Sequence, residues 1–180
     1  MRFFTNRLKS LCLIMLCFIG CSDDNSFDGG GVTEVVEIAA ENSSIPLGEG
    51  TVIRINFLFD EFDVFDDGGQ VNLVVKLPRQ LSYLDESAEI DRSGSRDRDV
   101  DPRVRQCPNG DTFLLFELGE SQLEGAENPF DGGDAQLKLT VNGEKRGDMI
   151  SIEAAADESS VPFSCSRDFL FDERGIVSVE

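Results

Sequence analysis

The sequence contains no histidine and no tryptophan, and it has a single tyrosine among its 180 residues. Histidine is the commonest general base and a frequent metal ligand, so its absence excludes a Ser-His or Cys-His nucleophile within this chain. Paired carboxylates can hydrolyse glycosides, but such enzymes usually have an aromatic-lined cleft, and this chain has no Trp and one Tyr. The serine-rich segments also lack an S-x-x-K motif. These absences predict that the protein is not an enzyme.

Basic residues are scarce as well. The chain has 16 Lys and Arg against 35 Asp and Glu, which gives a formal net charge of −19 at pH 7. A surface this negative repels phosphate backbones and anionic lipid headgroups. We therefore expect neither nucleic-acid binding nor electrostatic attachment to a membrane.

Apolar residues, by contrast, are plentiful enough for a folded protein. Hydrophobic residues make up 40% of the chain and charged residues 28%, which separates it from disordered sequences and suits one core. The expected organisation is a signal peptide over residues 1–20, an anchor and tether over 21–31, and a single domain over 32–180.

The N-terminus has the pattern of a secretory signal. Residues 1–10 are basic and polar, and an apolar run extends from Leu11 to Gly20. This run is about half the length of a membrane-spanning helix. Residues 18–21, Phe-Ile-Gly-Cys, resemble the lipobox of bacterial lipoproteins, in which the cysteine is lipidated and becomes the new N-terminus. The resemblance implies that Cys21 is a lipid anchor; the alternative is that Cys21 belongs to the apolar run and cleavage occurs downstream.

An acidic segment follows this cysteine. Residues 22–24, Ser-Asp-Asp, lack an Asp at the second mature position, which favours delivery to the outer membrane. They also resemble the acidic export signal that directs lipoproteins to the cell surface in the Bacteroidetes group, and a plain solvated tether is the alternative. The segment ends at Gly29–Gly31 and has the composition of a flexible spacer. Whether the domain faces the periplasm or the exterior stays open.

Beyond the spacer, apolar residues recur with a period of two. From Thr51 to Phe59, Ile and Phe side chains alternate with polar or smaller ones, and the same pattern recurs at 71–77 and 137–141. Further strands are expected at 34–39, 81–90, 112–118, 149–155 and 168–179, the last broken at Arg174-Gly175. Gly, Asn, Asp and Pro clusters separate these segments. The fold class predicted is all-β, an antiparallel β-sandwich of about seven to nine strands.

One motif makes this prediction more specific. Residues 77–84 read LPRQLSYL, which resembles the point in DUF11-type surface-protein repeats where a strand ends in Leu-Pro and the next begins with Leu-x-Tyr. Residues 36–59 and 134–157 are similar to the opening strands and the closing hairpin of the same family. The resemblance implies an immunoglobulin-like sandwich that acts as a spacer, stalk or interaction module, with no catalytic residues. A polar loop inserted at 92–106 and the segment 158–180 depart from the family, and the latter is a candidate edge strand.

Two cysteines remain in the predicted domain. In an exported protein, Cys107 and Cys165 are expected to form a disulfide that pins the inserted loop to the C-terminal segment. The long loop that it closes corresponds to roughly 4 kcal/mol of stabilisation in the chain-entropy model. Two free thiols are the alternative.

An acidic loop spans residues 60–69 and offers several carboxylates next to two glycines. Carboxylate oxygens are the ligands that Ca²⁺ prefers, although the spacing does not match an EF-hand. The alternative is a solvated hairpin tip. Phe62 and Phe65 in this loop either cap the sandwich or contact a partner, whereas Phe57 and Phe59 fit the core face. The candidate calcium ligands are Asp60, Asp63, Asp66 and Asp67.

A second polar loop holds half of the arginines that follow Cys21, interleaved with aspartates. Alternating charges beside Ser93-Gly94-Ser95 are typical of a mobile loop that neutralises itself. The alternative is that this positive island docks an anionic partner. The candidate partner-binding residues are Arg96, Arg98, Arg103 and Arg105.

Taken together, these features predict a lipid-anchored protein of the bacterial envelope with a structural, adhesive or assembly role, an envelope or surface protein as its partner, and no required cofactor. The alternative is a calcium- or glycan-binding module that uses the acidic loops.

Overall fold

The computed structural model describes residues 33–59, 69–91, 97–124, 133–157, 163, 165 and 170–180. These residues form twelve strands and one helical turn, and no described helix is long and apolar enough to cross a bilayer. The elements are β1 (Glu34–Ala40), β2 (Ser44–Ile45), β3 (Gly50–Phe59), β4 (Gln70–Leu77), β5 (Leu81–Tyr83), β6 (Glu89–Asp91), β7 (Arg98–Asp99), β8 (Arg103–Gln106), β9 (Thr112–Gly119), α1 (Glu120–Leu123), β10 (Gly133–Gly143), β11 (Gly147–Asp157) and β12 (Glu173–Val179).

The strands form two sheets. The first sheet has the order β1-β3-β10-β6-β7, with β5 also paired to β10, and the second has the order β2-β12-β11-β4-β9-β8. Neighbouring strands are antiparallel, except that β2 runs parallel to β12. The predicted all-β sandwich is confirmed, with seven strands of seven residues or more and five shorter ones.

Alternation places the apolar residues between the sheets. Along β3, Ile53, Ile55, Phe57 and Phe59 are buried, whereas the residues between them reach the outer surface. The partner strand β10 repeats this with Leu137, Leu139 and Val141. The second sheet contributes the inward faces of β4, β9, β11 and β12 to the same core. Phe57 and Phe59 thus lie in the core, as predicted.

The segment expected to be one strand over 81–90 is two strands. A turn at Asp85-Glu86, in which Glu86 has φ +59°, separates β5 from β6. Both strands pair with β10 but leave Leu139 and Thr140 between them, and the Ser87 hydroxyl accepts the Thr140 N–H at 3.0 Å. A hydroxyl therefore replaces the missing strand partner at this position. Enclosure beside this turn raises the pKa of the Tyr83 hydroxyl through desolvation.

The last strand also differs from the prediction. Arg174 and Gly175 do not break it, because both pair in register with β11 inside β12. The glycine serves close packing instead of a turn: a Cβ at Gly175 would lie 2.5 Å from Cγ2 of Ile38. Nor is β12 an edge strand, since β2 pairs with its outer side.

The inserted polar loop likewise holds structure. Its residues 98–99 and 103–106 form β7 and β8, which extend the two sheets on the same side of the sandwich. The prediction of a mobile loop is therefore wrong for these residues. The sequence does not predict these two strands, because both are polar and most of their side chains are exposed, so they lack an alternation of apolar residues.

Candidate functional site

A second apolar cluster lies on the outer face of the second sheet. Phe113, Leu115 and Val74 are buried there, away from the main core, and Phe163 and Phe171 pack against them. An outward-facing sheet surface is ordinarily polar in a sandwich. Here it is apolar because the segment that joins β11 to β12 contributes these two phenylalanines to cover it.

The predicted disulfide holds this cover in place. Cys107, next to β8, is bonded to Cys165 with a Cα–Cα distance of 5.7 Å, within the usual range for disulfides. Cys107 itself is part of the apolar cluster. The inserted loop is thereby pinned to the C-terminal segment, as the sequence suggested.

Cations surround the apolar cluster. The guanidinium groups of Arg105 and Arg103 lie 4.9 Å and 5.5 Å from the centre of the Phe163 ring, and Lys76 Nζ lies 5.5 Å from that of Phe171. Arginine over an aromatic face gains electrostatic attraction from the ring. The two arginines are therefore positioned on one face of β8, and we call this strand with its two arginines the β8 edge.

Some of these cations are neutralised by carboxylates. Lys76 Nζ lies 2.7 Å from Glu153, which also receives Arg174 at 3.3 Å, and Arg103 lies 3.3 Å from Glu117. Within the described part of the chain, no carboxylate lies within ion-pair distance of Arg105. The β8 edge thus keeps exposed positive charge on a strongly acidic protein.

The outer face of the first sheet is polar, and Lys138 of β10 lies on it among three carboxylates. Lys138 Nζ lies 2.6 Å from Asp91, 3.3 Å from Asp97 and 3.8 Å from Glu89. The hydrogen bond that Lys138 donates to Asp91, and after it the one that it donates to Asp97, raises the pKa of Lys138 despite partial burial. This cluster holds β6 and the chain before β7 against β10.

A shallow depression of about 410 Å³ lies on the same face. Gln136 Nε2 donates to Asn56 Oδ1 at 2.7 Å, and Asn56 Nδ2 donates to Glu37 Oε2 at 2.8 Å. Asn56 and Gln136 line the depression together with the partly exposed apolar residues Val36 and Leu58. The side chains of Gln136, Asn56 and Glu37 thus form a hydrogen-bonded row across β10, β3 and β1.

The predicted site residues are only partly brought together. Arg103 and Arg105 lie side by side on β8, whereas Arg98 belongs to β7 in the other sheet and pairs with Glu124 at 3.3 Å. The remaining candidates lie outside the described residues: Arg96, the anchor Cys21, Phe62, Phe65, and the calcium candidates Asp60, Asp63, Asp66 and Asp67. Among the residues that are described, no three carboxylates or cysteines cluster as metal ligands would.

Sequence reasoning missed three residues, two in this region and one on the far side of the sandwich. Phe163 and Phe171 cover the second cluster, and Asp172 joins the two sheets on the opposite side: its Oδ2 accepts the Ala156 N–H at 2.9 Å and the Val35 N–H at 3.1 Å. An aromatic pair that flanks a cysteine predicted to form a disulfide is the one signal that could have revealed the cover. The role of Asp172 depends on strands far apart in the sequence.

No family model and no curated protein matches the sequence. The fold resembles that of the major pilin SpaA of Corynebacterium diphtheriae, with a TM-score of 0.53 and 14% identity over 74% of this chain and 34% of the pilin. The chain thus spans about a third of that protein. The fimbrial protein FimP of Actinomyces oris gives 0.46 and 12% over 74% and 32%, and AvmM, which catalyses a macrocyclization, gives 0.41 and 12% over 81% and 87%. The likeness to SpaA concerns the fold alone, which is an immunoglobulin-like β-sandwich.

Proposed function

We propose that the protein is an exported structural or assembly component of the bacterial envelope, held at the membrane by a lipid on Cys21. The observation that carries this proposal is the Cys107–Cys165 disulfide, which spans 58 residues of a sandwich domain. Disulfides persist in oxidising compartments outside the cytosol. The bond therefore agrees with the signal pattern at the N-terminus.

The proposed role is non-catalytic. SpaA, whose fold this domain resembles, is described as a pilin in a modular pilus assembly, and the DUF11-type resemblance also implies a spacer, stalk or interaction module. In such roles the protein acts through its fold, because a rigid sandwich presents surfaces to neighbouring proteins. The outward-facing β8 edge is a surface of this kind.

Metabolic labelling tests the anchor. Cells that express the full chain are fed radiolabelled palmitate, and the protein is isolated and its label counted. We expect labelling of the wild type, loss of labelling in Cys21→Ser, and normal labelling in Cys17→Ser, because a lipobox lipidates one defined cysteine. A labelled Cys21→Ser variant, or an unlabelled wild type, contradicts the proposal.

Protease shaving of intact cells tests the compartment. Loss of the protein from intact cells places it on the surface, whereas loss only after the outer membrane is opened places it in the periplasm. Resistance under both conditions, with degradation after complete lysis, places it in the cytosol and contradicts export. Crosslinking before lysis, followed by affinity isolation, identifies the envelope protein that lies beside it.

The depression beside Asn56 and Gln136 favours a second candidate function, the binding of a glycan. Amides and carboxylates beside apolar side chains can orient a sugar ring. Screening the full chain against a glycan array tests this function, with Asn56→Leu and Gln136→Leu as variants that remove the amides. Binding that these variants leave unchanged, or no binding by the wild type, eliminates this site.

Calcium binding by residues 60–67 stays a prediction. If millimolar calcium does not change the thermal stability of the protein, this prediction is wrong.

A further inference from the structure

The hydrogen-bonding pattern of β8 determines which of its backbone groups face outward. Beyond the strand, Cys107 N–H donates to the Asp111 carbonyl at 2.8 Å. In an antiparallel pair, residues that exchange hydrogen bonds alternate with residues that do not. Arg105, two residues before Cys107, therefore directs its backbone groups toward β9, and Val104 and Gln106 direct theirs away from the sheet.

No described strand pairs with this outer side. β8 is the terminal strand of the second sheet, bonded to β9 alone among the described residues. All four of its residues are exposed, and the Val104 side chain is 50% exposed. An exposed strand edge with free N–H and C=O groups is a template for pairing with another extended chain.

The side chains of β8 restrict what can pair there. Arg103 and Arg105 lie on the outer face of the sheet, because they oppose Leu115 and Phe113 of the second cluster. Antiparallel pairing of two β8 strands about Val104 would place Arg103 of one copy opposite Arg105 of the other. Like charges directly across a strand pair are destabilising. The edge is therefore unsuited to joining two copies of this strand.

The same residues favour a strand of opposite charge. An added strand with carboxylates on its outer face would place them beside Arg103 and Arg105, whose guanidinium groups are already positioned by the Phe163 ring. Alternate residues of that strand would lie on the side of Val104, where apolar side chains gain contact. The matching segment thus alternates acidic and apolar residues.

We propose that the β8 edge binds an extended acidic segment of a partner protein by β-strand addition. This inference rests on the proposed assembly role, because it supplies the surface through which the protein would engage an envelope neighbour. Backbone hydrogen bonds along the outer side of β8 bind the partner strand, and the two arginines make an acidic strand the preferred one.

Titration of the full chain in detergent with three labelled, capped peptides tests the proposal. The peptides are Glu-Val-Glu-Val-Glu, its lysine analogue Lys-Val-Lys-Val-Lys, and Glu-Pro-Glu-Pro-Glu, which keeps the charge but lacks the N–H donors of the two valines. Fluorescence anisotropy measures binding, and hydrogen exchange locates it. We expect the first peptide to bind about tenfold more tightly than either of the others, and to slow exchange in the segment Arg103–Gln106.

Variants of β8 separate backbone pairing from charge. Val104→Pro removes an outward N–H without removing a hydrogen bond to β9, so it should weaken binding of Glu-Val-Glu-Val-Glu about tenfold. Val104→Thr keeps that N–H and the β-branched shape, and should bind like the wild type. Arg105→Glu should shift the preference from the acidic peptide to the lysine peptide, a gain that misfolding cannot produce. Thermal melting verifies that each variant is folded.

Three outcomes would overturn the proposal: no binding to the wild type, equal binding of the valine and proline peptides, or unchanged binding in a folded Val104→Pro variant. The second of these outcomes, equal binding of Glu-Val-Glu-Val-Glu and Glu-Pro-Glu-Pro-Glu, would indicate that charge alone attracts the peptides. Failure of the anchor is distinguishable, because absent palmitate labelling with intact peptide selectivity would disprove lipidation while leaving the β8 edge as a binding surface.

Discussion

The two sides of the sandwich protect the strands that end the sheets in different ways. On one side, β1 of the first sheet meets β12 of the second, with Gly175 against Ile38 and Asp172 accepting backbone N–H groups from both sheets. On the other side, β7 and β8 end their sheets with exposed, charged strands. The first side is closed by packing, whereas the second is protected by charge. The second side, which ends in charged strands, is the one at which we propose that a partner strand binds.

The two sides therefore depend on different interactions. The closed side depends on contacts that tolerate little change, because Gly175 leaves no room for a side chain. The β8 side depends on the disulfide and the phenylalanine cover behind it, which support β8 while no other described strand pairs with its outer side. We expect substitutions at the two sides to differ accordingly, and the following predictions proceed from the largest effect to the smallest.

The largest effect is expected from the disulfide. Replacing Cys107 and Cys165 by serine should reduce the free energy of unfolding by about 4 kcal/mol, because the unfolded chain regains the freedom of a long loop. Denaturant unfolding measures this change. The wild type in a strong reductant is the control and should match the variant, whereas equal stability of oxidised and reduced protein would contradict the support assigned to the β8 side.

Next comes the tight packing of the closed side. Gly175→Ala should cost roughly 1–3 kcal/mol, because the new Cβ would lie 2.5 Å from Cγ2 of Ile38 and force the strands apart. Gly119→Ala is a matched control, since its Cβ would meet no described atom closer than 3.8 Å. If the two alanine variants melt at the same temperature, β1 and β12 are not in close contact.

Asp172 provides the polar closure of the same side. Asp172→Ala should cost about 2 kcal/mol, since it leaves the Val35 and Ala156 N–H groups without their acceptor. Asp172→Asn keeps an oxygen of the same reach and should lose less. Urea unfolding measures both variants, and hydrogen exchange at β1 should accelerate in the alanine variant first; unaltered exchange there would show that the aspartate does not join the sheets.

The smallest effect concerns Lys138, between the two sides. Its folded-state pKa is raised by Asp91 and then Asp97, so its contribution is fully present below the unfolded pKa of about 10.4. That contribution is lost as pH rises through the folded-state pKa. Lys138→Met should therefore be less stable than the wild type by up to about 1 kcal/mol at neutral pH, with the difference vanishing in strong alkali. Lys145→Met, an exposed control, should show no such dependence.

The sequence predicted the parts of the fold in which one strand carries its own signal. Alternation identified β3, β4 and β10 because each buries one face, and the cysteine pair followed from the predicted compartment. It did not identify β8, because the burial of Phe113 and Leu115 comes from a segment distant in sequence, and the strand itself is polar. Gly175 suggested a turn because glycine permits both turns and close approach, and only the position of Ile38 decides between them.

The candidate site was predicted in its chemistry more than in its geometry. The excess of arginine in 92–106 pointed to Arg103 and Arg105, but not to their separation from Arg98, which follows from the assignment of β7 and β8 to different sheets. Asp172 could not be predicted, because it acts between elements that the sequence keeps far apart, and the only signal for Phe163 was its position beside Cys165.

The parallel pairing of β2 with β12 has a mechanical consequence. The hydrogen bonds from Ser178 N to Ser43 O and from Glu180 N to Ile45 O join the strand near the start of the domain to the strand at its end. In a parallel pair, a pull on the start of one strand and on the end of the other slides the strands along each other. All the bonds then bear the load together instead of opening one at a time. Once β1 has detached from β3, a pull between the N-terminal side of the domain and residue 180 would therefore load this pair in shear.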